Sequence, residues 1–242
     1  MANHRLRATA AIIAALIVLA ISAAPAAAET PIRVENSKAT LFQGSVTPVT
    51  GTLKDNTGAS HTTSKSTALG ALIAASRGAN PFTLDLGWFD GLGGGWAGFY
   101  LAGINGTTPP SNAYWALKVN QKLTSLGLGS QTVGDKANVL VYYTTTDPDT
   151  FATEPTLGIG TDAATVIAGG RVTITVSQYD DAGNKSAAAG AWILVNGQQR
   201  VQTGMTGVAT VRLAEPGQFR IKATKAGTIR SRKLWITATS SS

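Results

Sequence analysis

With no cysteine and only two histidines, few side chains of this sequence could run chemistry. His4 falls in an N-terminal leader-like stretch, which leaves His61 as the one candidate base for a Ser-His-Asp triad. It sits in a polar Ser/Thr stretch without a nucleophile-elbow motif, so the plain reading is an exposed loop histidine. Zinc sites draw on several His or Cys ligands, which the chain does not supply, and no metal site is expected. Asp85 and Asp90 flank Trp88 and Phe89. Paired carboxylates beside aromatic rings are the equipment of glycosidases, so a carbohydrate-active enzyme is one alternative. Both positions are also ordinary ones for Asp, at a strand end and in a Gly turn. Asp180, Asp181 and Asn184 could offer oxygen ligands to Ca²⁺, but no bidentate Glu follows at EF-hand spacing, and a hairpin turn suffices. The expectation is a protein that is not an enzyme and carries no cofactor.

Two features could bind rather than catalyse. The stretch from Trp88 to Trp96 mixes aromatics with glycines, which let a backbone approach a ligand closely while the rings offer flat apolar area. Trp88, Phe89, Trp96 and Tyr114 are the candidate ligand contacts; the competing reading folds these rings into the core. The second feature is charge. The formal net charge is +7, yet residues 29–199 carry ten Lys/Arg against twelve Asp/Glu, while residues 200–242 carry eight against Glu215 alone. Arg212, Arg220, Lys222 and Arg230 fall on outward strand positions or turns. They are the candidate docking residues for anionic cell-envelope polymers; the alternative is a merely solvated face. Nucleic acid is not expected, because no aromatics interleave with these cations.

Export sets the setting. Arg5 and Arg7, an apolar run from Ala8 to Ile21 and the small-residue exit Ala26-Ala27-Ala28 form a signal peptide over residues 1–28, cleaved after Ala28. The apolar run is shorter than the ~20 residues a membrane span needs, so no transmembrane anchor is expected after cleavage. Without disulfides, the exported chain must stand on its hydrophobic cores.

The elements that would position these residues are mostly strands. Ile32–Glu35, Thr40–Val46 and Thr50–Lys54 come first, followed by one helix capped by Ser66 or Thr67. Leu69, Leu72 and Ile73 give that helix a sheet-packing stripe, Arg77 lies in its last turn, and Gly78 is placed as a left-handed exit residue. Phe99–Ile104, Tyr114–Val119 and Val139–Tyr143 are further strands. Residues 146–155, rich in Thr, Pro and Asp, suit a linker. Beyond them alternation becomes strict: Val172, Ile174 and Val176 face one way, as do Val211 with Leu213 and Phe219 with Ile221. Turns recur at Asn196-Gly197 and Glu215-Pro216-Gly217, the pattern of a small β-sandwich over residues 156–240.

The order of Thr67–Leu72, Gly98–Gly106, Tyr114–Asn120, Gly134-Asp135-Lys136 and Val139–Tyr143 resembles the DUF4430 family, which is similar to the C-terminal β-domain of transcobalamin and intrinsic factor. That resemblance covers roughly residues 33–145, within a domain bounded at 31–145. It implies an α+β, β-grasp-like fold: a mixed sheet with one helix. Residues Thr206–Leu213 and Pro216–Lys225 resemble bacterial Ig-like repeats, implying an all-β Ig-like sandwich that acts as spacer or adhesive module. In the animal relatives the first domain walls one side of a cobalamin site, so a corrinoid is the ligand this analogy implies. The leading expectation is a secreted or surface-associated binding protein, its first domain presenting a surface to a small molecule or partner.

Overall fold

The computed structural model describes residues 29–63, 66–91, 97–135 and 137–240. The leader at residues 1–28, and Trp96 among the candidate ligand contacts, lie outside them. Strands β1 (Thr30–Glu35) and β2 (Thr40–Val46) form a hairpin closed by Asn36, whose side-chain oxygen accepts the N–H groups of Lys38 and Ala39. A second hairpin, β3 (Gly51–Lys54) and β4 (Ser60–Thr63), precedes helix α1 (Ala68–Ser76). A third follows it, β5 (Leu84–Phe89) and β6 (Gly98–Ile104), then β7 (Ala113–Val119), β8 (Lys122–Leu123) and β9 (Val139–Thr145). The main sheet runs β2-β1-β9-β7-β8, with β1 and β9 parallel at its centre. One helix on a mixed sheet in this order is the β-grasp-like arrangement.

Helix α1 begins where Thr67 accepts the N–H of Gly70 through its side chain. The N–H groups of Ala68 and Leu69, which no helix can satisfy internally, donate to the carbonyls of Gln131 and Leu128. Eight of its nine residues are buried, so the helix is enclosed all round rather than laid on the sheet by one stripe. Gly78 is not a left-handed exit. The small residue there instead admits the Phe42 ring, since a Cβ would stand 3.1 Å from Phe42 Cε2.

Residues Thr156–Thr161 begin the second domain as β10, followed by β11 (Thr165–Ile167), β12 (Arg171–Tyr179), β13 (Lys185–Ala187) and β14 (Trp192–Val195). Strands β15 (Gln198–Gln202), β16 (Val208–Arg212), β17 (Gly217–Thr224) and β18 (Leu234–Thr239) complete it. One sheet sets β10 against β12, with β13 and β16 on the far side of β12; the other runs β11-β18-β17-β14-β15. Val172, Ile174, Val176, Ile193, Ile221 and Ile236 meet between them, as their alternation requires. Asn196 and Gly197 both take positive φ, the two-residue hairpin turn their sequence specifies. This is the Ig-like sandwich.

What lies between the domains differs from a free linker. Successive strand residues face opposite ways. Ile32, Val34, Trp115, Leu117, Val139 and Val141 pack on the helix side of the first sheet. Arg33, Glu35, Ala116, Lys118, Leu140 and Tyr142 therefore face away, and all six are buried. The second domain covers them: Ile229 joins Ala116, Leu140 and Tyr142 in a separate apolar cluster. Within the 146–155 segment, Thr146 bridges Thr153, and Thr153 meets the Tyr142 hydroxyl at 2.8 Å. Among the described residues no helix is long and apolar enough to cross a membrane.

Candidate functional site

The domain seam gathers charge that each strand alone presents as ordinary outward residues. Glu35 on β1 has no solvent exposure. Its carboxylate stands 3.3 Å from Arg230 Nε, 3.6 Å from Lys222 Nζ and 3.7 Å from Arg33 Nη1. Arg33 also donates to the Arg230 carbonyl at 2.7 Å. Burial lowers the Arg33 pKa to about 10, with Glu35 opposing the drop and Arg230 and Arg232 adding to it. Lys222 falls to about 8: burial is the largest cause, and Arg230, Arg33 and Lys233 push the same way against Glu35. One carboxylate thus faces more positive charge than it neutralises.

Outside this cluster opens a recess of ≈ 330 Å³ bounded by Lys38 and Thr40 of the first domain and by Leu194, Arg220, Lys222, Arg230 and Lys233 of the second. Elsewhere on the seam is a larger cleft of ≈ 590 Å³. Pro31, Arg33, Gln43 and Ser45 form its first-domain wall; Gly158, Gly160, Thr175, Ser177, Tyr179, Lys185 and Arg232 line the other. No carboxylate lines it, and its polar groups are cations, hydroxyls and amides. The two glycines keep β10 low. A Cβ at 158 would meet the Tyr179 ring at 2.7 Å, while one at 160 would meet nothing within 4 Å and project into open space.

A third cluster closes the seam. Lys118, wholly buried, places Nζ 3.2 Å from Asp181 Oδ1 and donates to the Asp180 carbonyl at 2.9 Å. Burial lowers the Lys118 pKa and Asp181 opposes that. Asp181 also accepts the N–H and hydroxyl of Thr153, while Asp180 accepts Asn184. The two carboxylates weighed as Ca²⁺ ligands are thus held by different partners.

Among the described residues the candidate ligand aromatics Trp88, Phe89 and Tyr114 do not converge. Trp88 and Phe89 lie on strand β5 rather than in a Gly-rich loop. The Trp88 ring stacks on His61 at 3.6 Å between centroids, meets Phe99 edge-on at 5.0 Å, and donates its N–H to Asp90 at 2.6 Å. It packs against the first core instead of offering a bare face. Tyr114, 37% exposed, shares the parity of Ala116 and Lys118 and so belongs to the opposite, seam-facing side of the sheet. His61 is a strand residue rather than a loop one, its Nε2 2.9 Å from Asp55 Oδ2. The Asp55 pKa falls to about 2, chiefly through the Thr57 hydroxyl and then His61. Together these contacts pin the β3–β4 hairpin to the β5–β6 hairpin.

The docking cations also divide. Arg212 and Arg220 are exposed, Arg212 donating to the Gly169 carbonyl at 3.0 Å. Lys222 and Arg230 are not open surface. They do face away from their own sandwich, but the first domain covers that side and brings Glu35 to them. Sequence reasoning missed Arg33, Glu35 and Lys118 altogether. Lys118 carried a usable signal, an ionisable residue inside the apolar run Ala113–Val119.

A family model described as "Domain of unknown function (DUF4430)" matches residues 85–145, from β5 to β9, a narrower span than the resemblance read from residue 33. No curated protein matches the chain. Among solved structures, the CARDB domain of a Pyrococcus furiosus protein, in complex with di-metal ions, is 13% identical; the match covers 36% of this chain and 94% of that one, with a TM-score of 0.27. A polysaccharide lyase is 11% identical over 67% of this chain and 27% of its own, at a TM-score of 0.31. The D00-D0 domain of intimin is 12% identical over 64% and 78%, at 0.25. Scores of this size leave fold and function to be argued from the chain itself.

Proposed function

We propose that this is an exported, non-catalytic binding protein whose two domains act as one body and take a small, polar, anion-bearing ligand in the cleft between them. The observation that carries the reading is the cleft's lining. Lys185 and Arg232 supply positive charge beside Arg33, which is already paired with Glu35; Thr175, Ser177, Gln43 and Ser45 supply hydrogen-bonding groups, and no carboxylate lines the cleft. Its ≈ 590 Å³ lies in the range of small-molecule sites, which favour domain interfaces. A non-catalytic role is supported by the fate of the acid–base candidates. His61 pairs with Asp55 beside Trp88, Asp90 holds the indole N–H, and Asp85 lies on strand β5, all outside the cleft lining. Export rests on the leader sequence at residues 1–28.

The test is a thermal-shift titration of the secreted protein with glucuronate, N-acetylneuraminate and a corrinoid, beside the variant Gly160→Trp. A ligand at a hundred times its Kd should stabilise the native protein by about 2.7 kcal/mol. The variant, whose indole fills the cleft from a position with open space, should melt normally and show no shift. Equal shifts in both proteins, or none with any probe in the native protein, would remove the cleft as the site.

A further inference from the structure

The basic recess is distinct from the cleft, and its surroundings point to a second ligand. Three of its cations, Lys38, Arg220 and Lys233, have no carboxylate partner among the described residues; Glu35 is paired with Arg33, Lys222 and Arg230 below them. Positive charge is therefore concentrated and left uncompensated. Beside it stands an exposed ring. Trp235 on β18 is 58% exposed and pairs across the sheet with Arg220, on the outer face that also carries Lys222 opposite Leu194. A flat aromatic next to unpaired cations suits a chain that alternates apolar ring faces with anionic groups.

We propose that the recess and Trp235 form a binding site for an acidic polysaccharide. Its carboxylate or sulfate groups enter among Lys38, Arg220 and Lys233, and one sugar ring lies on the Trp235 indole. The exposed Trp235 ring, paired across the sheet with Arg220, favours a sugar polymer over a membrane, because such a chain brings ring faces and anionic groups together at one place. The site needs both domains, since Lys38 comes from the β1–β2 turn and the other cations from β17 and the 230–233 segment. It adds to the cleft reading and does not depend on it.

The experiment measures binding of the whole secreted chain to immobilised polygalacturonate and dextran sulfate, with uncharged dextran and phosphatidylglycerol vesicles as comparators, at low and high salt. Lys38→Ser/Arg220→Ser removes two exposed cations and should weaken polyanion binding about tenfold or more. Trp235→Ala should weaken polygalacturonate binding severalfold, at high salt as well as low, because stacking is not screened. Arg171→Ser/Arg212→Ser, which takes the same charge from the other sheet, and Gly160→Trp should change little. Melting curves of each variant separate loss of site from loss of fold. The proposal fails if the Arg171/Arg212 variant weakens binding as much as the recess variant, which would reduce the effect to net charge. It fails equally if vesicles bind and polysaccharides do not, if dextran binds as well as its sulfated form, or if nothing binds at low salt.

Discussion

The ammonium of Lys118, on a central strand of the first domain, lies 3.2 Å from the carboxylate of Asp181 in a turn of the second. Lys118 has no exposure, and its remaining donors reach the Asp180 and Tyr179 carbonyls at 2.9 and 3.4 Å. A buried cation of this kind tolerates neither loss of its partner nor separation of the domains, because it would face an apolar sheet with nothing to replace water.

Asp181→Asn should therefore be costly although it keeps shape and hydrogen-bonding oxygen. The loss expected is about 3 kcal/mol, the scale of a buried pair with one member removed. Lys118→Met in the same chain should restore a good part of it. Urea denaturation of both single variants and the double variant gives the coupling; simple additivity would show the pair to be uncoupled.

The two domains should unfold together. Ala116, Leu140 and Tyr142 are buried only because Ile229 and its surroundings cover the far face of the first sheet. Calorimetry of the two-domain chain should show one transition, and residues 29–145 produced alone should expose that face and associate. Two well-separated transitions would mean the seam contributes little.

Stability should rise between pH 7 and 9.5. The Lys222 pKa in the folded chain, about 8, lies below that of an exposed lysine, so the unfolded chain binds more protons above pH 8 and folding gains as pH increases. Lys118 shifts in the same direction. Lys222→Met should flatten this slope without abolishing it. A native protein whose stability is level or falls across that window would contradict the assignment.

Gly70→Ala should destabilise, against helix propensity. In an exposed helix the change gains up to about 1 kcal/mol. Here a Cβ would stand 2.3 Å from the Val49 carbonyl oxygen, whose residue also donates its N–H to the Gly70 carbonyl at 3.1 Å. The helix must move off residue 49, at a cost of about 1–3 kcal/mol. Thermal melts decide the sign.

Trp88→Ala should cost about 3 kcal/mol, because its ring is packed between His61 and Phe99. Tyr100→Ala, on the same hairpin but 46% exposed, should cost far less. Near-equal melting temperatures would return Trp88 to the role of an available ligand surface.

The sequence by itself determined the helix, the longer strands and the two architectures. Alternation at Val172–Val176 and Phe219–Ala223 fixed which faces turn inward, and Thr67 marked the start of the helix, because these signals are local and repeat every two or every few residues. It missed β4, whose polar Ser/Thr residues read as a loop, β5, where glycine and aromatics obscured the alternation, and β8, which is only two residues long. It did not delimit β10, β11, β13, β14 or β15. What faces what across the seam was decided by tertiary structure alone. Outwardness relative to one's own sheet is legible from parity; whether water or another domain lies on that side is not. Arg33 and Glu35 therefore gave no sign of a site, and Lys222 read as an outward docking cation, although 187 residues of chain bring Lys222 back to within 3.6 Å of Glu35. The cleft, the basic recess and the buried Lys118 all come from that one juxtaposition, because a long-range contact leaves no periodic trace in the residues that make it.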